Sequence, residues 1–492
     1  MRHAAVATSF VFVVAASLLT GCPDRSISEV DPLQGRVEFK DIPVQVNRDI
    51  DLLFLIDDSK SMADKQSNLA KNFPTFIKVL GQIPGGLPNV HIGVATSDLG
   101  TKGAEDATAG PKVGVVGNGG CAGLGKAGNL QLNGVTTDGG AQFLSDTVDP
   151  SDPTKRKSNY PTDPTHESGV DLATQFATMA TGVHAVGCGF EQHLEAIRQA
   201  LQPTNSVNGG FLRKDAFLAV IIIADEDDCS MAHSTLLGAE SPTLGPLQSF
   251  RCTRFGVVCD DDGATPDAMN TVGSKGRCHP NDNSAYLTKV ADYATFLKGL
   301  KDDPNKVIVA GIMGTTEPFA TELRAPEVGK DKIPALQHSC NYTDVTNTLE
   351  VADPPIRIKS FLDQFPNRST FASICQNDLS GALQQIAELL KSVVGNPCIE
   401  GKLADVDPKT PGPQYDCSVS AIQKSGTTEQ TEKVLPACAP DSDAAANKPC
   451  WRLIADADKC SANTHLLLKI EGQDTLPTDT HVVANCVTEV GN

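Results

Sequence analysis

The sequence predicts a doubly wound α/β fold, a mostly parallel sheet with helices on both faces. Three observations carry that expectation. Leu52-Leu53-Phe54-Leu55-Ile56 and Val220-Ile221-Ile222-Ile223 are unbroken apolar runs, the composition of strands buried on both faces in parallel sheets. Amphipathic segments alternate with apolar ones between residues 50 and 394, as in chained strand–helix units. Each of the two strongest runs leads into an aspartate, Asp57 or Asp225, and open sheets of this class build their sites beyond the carboxyl ends of strands.

The elements follow in order. The first strand covers residues 50–56, and a helix over 62–80 has Leu69, Phe73, Phe76, Ile77 and Leu80 on its apolar face. Pro84-Gly85-Gly86 breaks the chain before a second strand over 90–95, which ends at Thr96-Ser97-Asp98. Residues 99–165 are rich in Gly, Asp, Pro and Thr with little periodicity, and read as a long inserted loop. Helical periodicity returns over 169–179 and 190–201, and the strongest strand spans 216–224. A cysteine-rich insertion, 229–282, comes next. A helix over 285–300, a strand over 306–312, an irregular stretch and a helix over 379–394 complete the main domain, 46–397.

The amino terminus speaks of export. Arg2 and His3 precede an apolar stretch from 4 to 19, short for a membrane span but the right length for a signal core. It ends in Leu19-Thr20-Gly21-Cys22, which resembles the lipobox of bacterial lipoproteins. That resemblance implies a signal peptide over 1–21, cleavage before Cys22, and acyl chains on its sulfur and new amino group. More than one chain is needed for stable membrane anchoring. By the same resemblance, Pro23 after the cysteine points to the outer membrane of a bacterial cell envelope. A polar tether, 22–45, follows.

Cysteine usage agrees. Of 15 cysteines, Cys22 is assigned to lipid; eight of the rest precede residue 397 and six follow it. An even number in each part is what two separately disulfide-bonded units would have. No zinc spacing occurs among them. The six in residues 398–492, among short alternating runs, predict a small disulfide-rich β-type module. With 41 basic against 60 acidic residues and a net charge of −19, the chain is a poor partner for nucleic acid.

The chemistry concentrates in Asp57-Asp58-Ser59-Lys60-Ser61, which holds the pattern Asp-x-Ser-x-Ser directly after a buried strand. One carboxylate and two hydroxyls can turn together toward a hard cation. The arrangement resembles the metal-ion-dependent adhesion site of von Willebrand factor type A domains. The resemblance implies a divalent cation, Mg²⁺ ahead of Mn²⁺ or Ca²⁺, held by Asp57, Ser59, Ser61 and Asp225. It implies a protein or cell-surface ligand that contributes an acidic group to the ion. The family also supplies a threonine before a central helix, and aligning Glu191-Gln192-His193-Leu194-Glu195-Ala196 with that helix puts Cys188 on it.

Other readings of the same residues stand beside this one. Asp58, Ser59 and Ser61 could simply cap the next helix. The acidic run Asp225-Glu226-Asp227-Asp228 could be partly a solvated loop, since four carboxylates repel unless a cation sits among them. Asp260-Asp261-Asp262-Gly263 lacks the downstream Glu of a calcium loop and reads as an acidic turn. No His-Glu-x-x-His or Gly-x-Ser-x-Gly motif occurs, so no enzyme is expected and a metal-assisted hydrolase ranks last. The main alternative to ligand binding is a metal-independent structural module of the envelope whose site has decayed.

Overall fold

The computed structural model describes residues 36–489, apart from 44–47, 84–85, 166–168, 327–328, 396, 400, 408, 410–411, 425–428, 439–448, 457–459, 461–465 and 478–479. The expected signal peptide, Cys22 and most of the tether lie outside the described residues. Within the tether, the strand β1 (Arg36–Pro43) is formed instead of open chain.

The core is a seven-stranded sheet. It contains β2 (Asp49–Ile56), β3 (Asn89–Thr96), a hairpin of β4 (Leu144–Asp149) and β5 (Asp152–Ser158), β6 (Phe217–Ile223), and the strands Val307–Met313 and Ser369–Ser373. From one edge the spatial order runs Ser369–Ser373, Val307–Met313, β6, β2, β3, β4, β5. Numbered along the chain without the last hairpin strand, this is 6-5-4-1-2-3, a doubly wound order with its switch between β2 and β6. All pairings are parallel except those of β4 and β5. The architecture is therefore the von Willebrand A-like one, with an antiparallel edge.

Side-chain alternation explains the two helical layers. Ile50, Leu52, Phe54 and Ile56 face α1 (Ala63–Leu80), α2 (Val170–Thr181) and the helix Ser380–Gly395. There Phe54 meets Phe73, Phe76 and Phe176 in one aromatic cluster. Leu53 and Leu55 face the other way, onto α3 (His193–Leu201) and the helices Val290–Lys298 and Ile356–Leu362. Both faces of β2 are covered, which is why its run Leu52–Ile56 is apolar without interruption.

Three segments differ from the sequence reading. Residues 99–165 were expected as loop, yet 144–158 form the edge hairpin. Its second strand, Asp-Pro-Thr-Lys-Arg-Lys-Ser, has no apolar residue beyond Pro153, so periodicity could not reveal it. The stretch after Met313 contains the pairs Ala320–Arg324 with Ile333–Leu336 and Cys340–Thr343 with Leu349–Ala352. Finally β1 pairs along its whole length with Thr480–Thr488, so the expected tether joins the carboxyl-terminal module. That module consists of a four-stranded and a three-stranded antiparallel sheet.

Among the described residues, seven disulfides fall on one side or the other of residue 397. Cys121–Cys188, Cys229–Cys252, Cys259–Cys278 and Cys340–Cys375 lie before it. Cys398–Cys460, Cys417–Cys486 and Cys438–Cys450 lie after it. The two insertions, 99–165 and 229–282, carry most of the bridges of the main domain.

Candidate functional site

The switch point sets the geometry. Ile56 and Ile223 are register partners, so the chain leaves β2 and β6 side by side. The Asp57 N–H extends the ladder by donating to Ile223 O at 2.9 Å. From there the four residues expected as ligands do converge. Ser59 N donates to Asp57 Oδ1 at 2.7 Å, Ser59 and Ser61 hydroxyls lie 3.1 Å apart, and Ser61 Oγ donates to Asp225 Oδ1 at 3.1 Å. Asp57, Asp225 and Ser59 are all but wholly buried. Ser59 stands at the start of the turn into α1, but its side chain makes no capping hydrogen bond. Helix capping alone therefore does not account for the triplet.

Residues that the sequence did not single out complete the surroundings. Ser97, at the end of β3, lies 3.2 Å from Asp57 Oδ1 and 3.3 Å from Asp58 Oδ1. His193 Nε2 lies 3.4 Å from Asp57 Oδ2, in full burial. Lys65 has its ammonium 3.1 Å from Asp225 Oδ2 and 2.9 Å from both Glu350 Oε2 and Ser61 O. Its spacing of four from Ser61 puts it on the same helix face, a signal visible in the sequence. Nothing in a single sequence distinguishes Glu191 or His193 from ordinary helix-start residues.

Cys188 does not stand in for the family's threonine. Its sulfur is bonded to Cys121, fully buried, and packs on the carbonyls of Gly100 and Phe190. The same loop instead brings Gly187 against Asp58, where an added Cβ would lie 2.3 Å from Oδ1. Three residues after the cysteine, Glu191 is 2% exposed, and its Oε1 has no hydrogen-bond partner.

The acidic run is sorted residue by residue, with Asp225 and Asp228 buried and Glu226 and Asp227 half-buried. Asp225 joins the site. Glu226 meets the Glu191 carboxyl. Asp227 accepts the backbone N–H groups of Arg357 and Ile358 at the start of a helix. Asp228 accepts Leu194 N at the start of α3 at 2.9 Å and pairs with the buried Arg357 guanidinium. The Asp260–Asp262 turn is the ordinary acidic turn expected, with Lys275, Arg277 and His279 beside it.

Burial and mutual repulsion shape the titration of this cluster. Burial, then the Asp57 charge, pushes Asp225 up to about 7, although Lys65 pulls the other way. Burial, then the charges of Asp98 and Asp57, pushes Asp58 up to about 7. Burial raises Asp227 to about 6 against the donors of Arg357. Glu191 is held well above the carboxylate range by burial and then by Glu226, and Glu226 likewise by burial and then by Asp353. For His193, burial would lower the pKa, but the bond to Asp57 outweighs it and leaves it raised.

These residues suit a divalent cation. Two carboxylates and two hydroxyls, all hard oxygen donors, converge beside an excess of buried negative charge that a cation would relieve. Among the described residues, no group of three or more His, Cys, Asp or Glu is arranged to hold a metal. The fit therefore rests on the mixed carboxylate and hydroxyl set.

Beside this cluster opens a cleft of about 570 Å³. Its walls come from Asn118 and Gly119 in the first insertion, Gln248, Ser249, Phe250, Cys252 and Thr253 in the second, and from 324–326 with Ala335, Leu336 and His338. The insertions thus recess what would otherwise be an open sheet end.

No family model and no curated protein matches the chain. Solved structures with similarity include "von Willebrand factor type A from Catenulispora acidiphila", at 10% identity and a TM-score of 0.28, covering 93% of this chain. This chain spans 66% of the length of that one. Another is the conserved hypothetical protein BatB from Bacteroides thetaiotaomicron, at 9% identity and a TM-score of 0.25, covering 70% of this chain and 98% of that one. Superpositions this loose say nothing about the site. The von Willebrand A-like architecture rests on the strand order, the β2–β6 switch and the residues gathered there.

Proposed function

We propose that this is an exported protein, lipid-anchored through Cys22 in a bacterial envelope, that binds a protein or cell-surface ligand at the β2–β6 switch. The observation that carries the reading is the convergence of Asp57, Ser59, Ser61 and Asp225 in one hydrogen-bonded chain. These four would hold a divalent cation, Mg²⁺ in the first place. Such an ion supplies an open coordination position for an acidic group of the partner, strengthened by a recessed, partly desolvated setting. The chain's own task is to hold the donors: Ser97 and His193 fix the Asp57 carboxylate, and Ser61 fixes Asp225. No enzymatic step is assigned to the site.

One observation favours a second reading, a metal-independent structural module. Lys65 already places an ammonium at Asp225, where it can serve as an internal cation. Calorimetric titration of Mg²⁺, Mn²⁺ and Ca²⁺ into the chain lacking residues 1–22 separates the two. Saturable heat that disappears in Asp57→Ala and Asp225→Ala supports ligand binding through metal. Absence of heat in the folded wild type, or equal heat in both variants, leaves the structural module.

A further inference from the structure

The cleft beside the switch point has an unbalanced charge inventory. Of its two basic lining residues, Arg324 is engaged by Glu322 Oε1 at 2.9 Å and by the Leu336 carbonyl at 2.6 Å. His338 Nδ1 donates to Asp353 Oδ1 at 2.6 Å. Of the acidic lining residues, Asp353 is thereby satisfied, and Asp227 is used by the backbone N–H groups of Arg357 and Ile358. That leaves Glu191 and Glu226, whose carboxyl groups meet each other. Glu191 is 2% exposed, lines the cleft, and keeps Oε1 without a partner. A buried carboxylate oxygen in that state costs free energy unless something entering the cleft meets it.

Two features decide what enters. A guanidinium carries its own donors in a planar fork and needs only acceptors, which the two carboxyl groups offer once its charge draws their protons off. Phe190 and Phe250 on the same lining give an apolar surface for the side-chain stem. We infer that the cleft bounded by the insertions takes a basic side chain of a partner protein, arginine foremost, with its guanidinium on Glu191 and Glu226. The inference names a chemistry for the partner of the proposed binding role, but the contact needs no metal.

The test uses the chain lacking residues 1–22, in EDTA, with the probe acetyl-Gly-Arg-Gly-amide and its citrulline counterpart followed by protein-detected NMR. The arginine peptide is expected to bind saturably, with at least tenfold weaker binding of the citrulline peptide. Glu191→Gln, which keeps the shape and removes the charge, should weaken arginine binding at least tenfold. Ser249→Trp, which fills the cleft from its wall, should abolish it even if the Glu191 variant misfolds. The inference is overturned if the folded wild type does not bind the arginine peptide, or binds the citrulline peptide equally well. Unchanged binding in both variants would overturn it too. Because EDTA is present throughout, its failure and the failure of the metal reading are separate results.

Discussion

The Lys65 ammonium lies 3.1 Å from Asp225 Oδ2, and both side chains are at most 2% exposed. The same nitrogen is 2.9 Å from Glu350, on the hairpin held by Cys340–Cys375. A positive charge supplied by the chain itself therefore occupies the edge of the oxygen set that the sequence marks for a divalent ion.

Lys65→Met keeps the aliphatic stem and removes that charge, leaving Asp225 and Glu350 without their shared partner. Breaking a buried pair in this way costs about 3–5 kcal/mol. Urea unfolding at pH 7.5 in EDTA should show a loss of that order. Saturating Mg²⁺ or Mn²⁺ should restore part of it, and the variant should bind the ion more tightly than wild type. A loss that no divalent ion reduces would speak for Lys65 as a purely structural partner.

The pH dependence has a definite sign. Asp58 and Asp225 titrate near 7 and Asp227 near 6 in the folded chain, all above an ordinary aspartate. Between pH 4 and 7 the native state holds protons that the unfolded chain has released, so stability falls as pH rises. The raised His193 acts in the same direction. Without metal, stability should drop on the order of 6 kcal/mol from pH 5 to pH 8. Chemical denaturation across that range checks this, and a divalent ion should flatten the curve. Stability that instead rises over pH 5–8 in EDTA contradicts the assigned environment.

The Cys121–Cys188 bridge ties the first insertion to the loop carrying Gly187 and Glu191, across a separation of 67 residues. Loop-closure entropy for such a span corresponds to about 4 kcal/mol, commonly less in practice. The double variant Cys121→Ser/Cys188→Ser should lower the melting temperature. It should also raise hydrogen exchange at residues 187–191 before it affects β2. Uniform exchange throughout the domain would mean the bridge does not act locally.

Phe176 stacks on Phe73 at a centroid distance of 3.6 Å on the α1–α2 side of the sheet, and it contributes no atom to the oxygen set at the switch point. Phe176→Ala should cost about 3–5 kcal/mol through lost burial and a cavity, while leaving any metal affinity of the folded protein unchanged. Loss of both together would tie the site to the packing of α2.

What the sequence revealed followed burial. β2 and β6 are covered on both faces, so their apolar runs, their neighbours and the aspartates at their ends were all legible. The cooperation of Ser59, Ser61 and Asp225 was legible for the same reason, since strand ends fix direction. β5 was hidden because an edge strand needs no apolar face, and β1 because its partner lies more than 400 residues away in sequence. Glu191 was missed because its role depends on where a disulfide-held loop turns, and the helix alignment pointed at Cys188 instead. The acidic run looked like a solvated loop because nothing local shows that Asp227 and Asp228 serve the starts of two different helices.

A divalent ion held by Asp57, Ser59, Ser61 and Asp225 would be visible by its own scattering. Crystals of the chain lacking residues 1–22, soaked in Mn²⁺ and recorded at a wavelength where manganese scatters anomalously, test for it most directly. One anomalous peak is expected within bonding distance of Asp57 and the Ser59 and Ser61 hydroxyls, with Lys65 moved off Asp225. A map with no peak at these residues, and Lys65 still paired with Asp225, would contradict a metal site there.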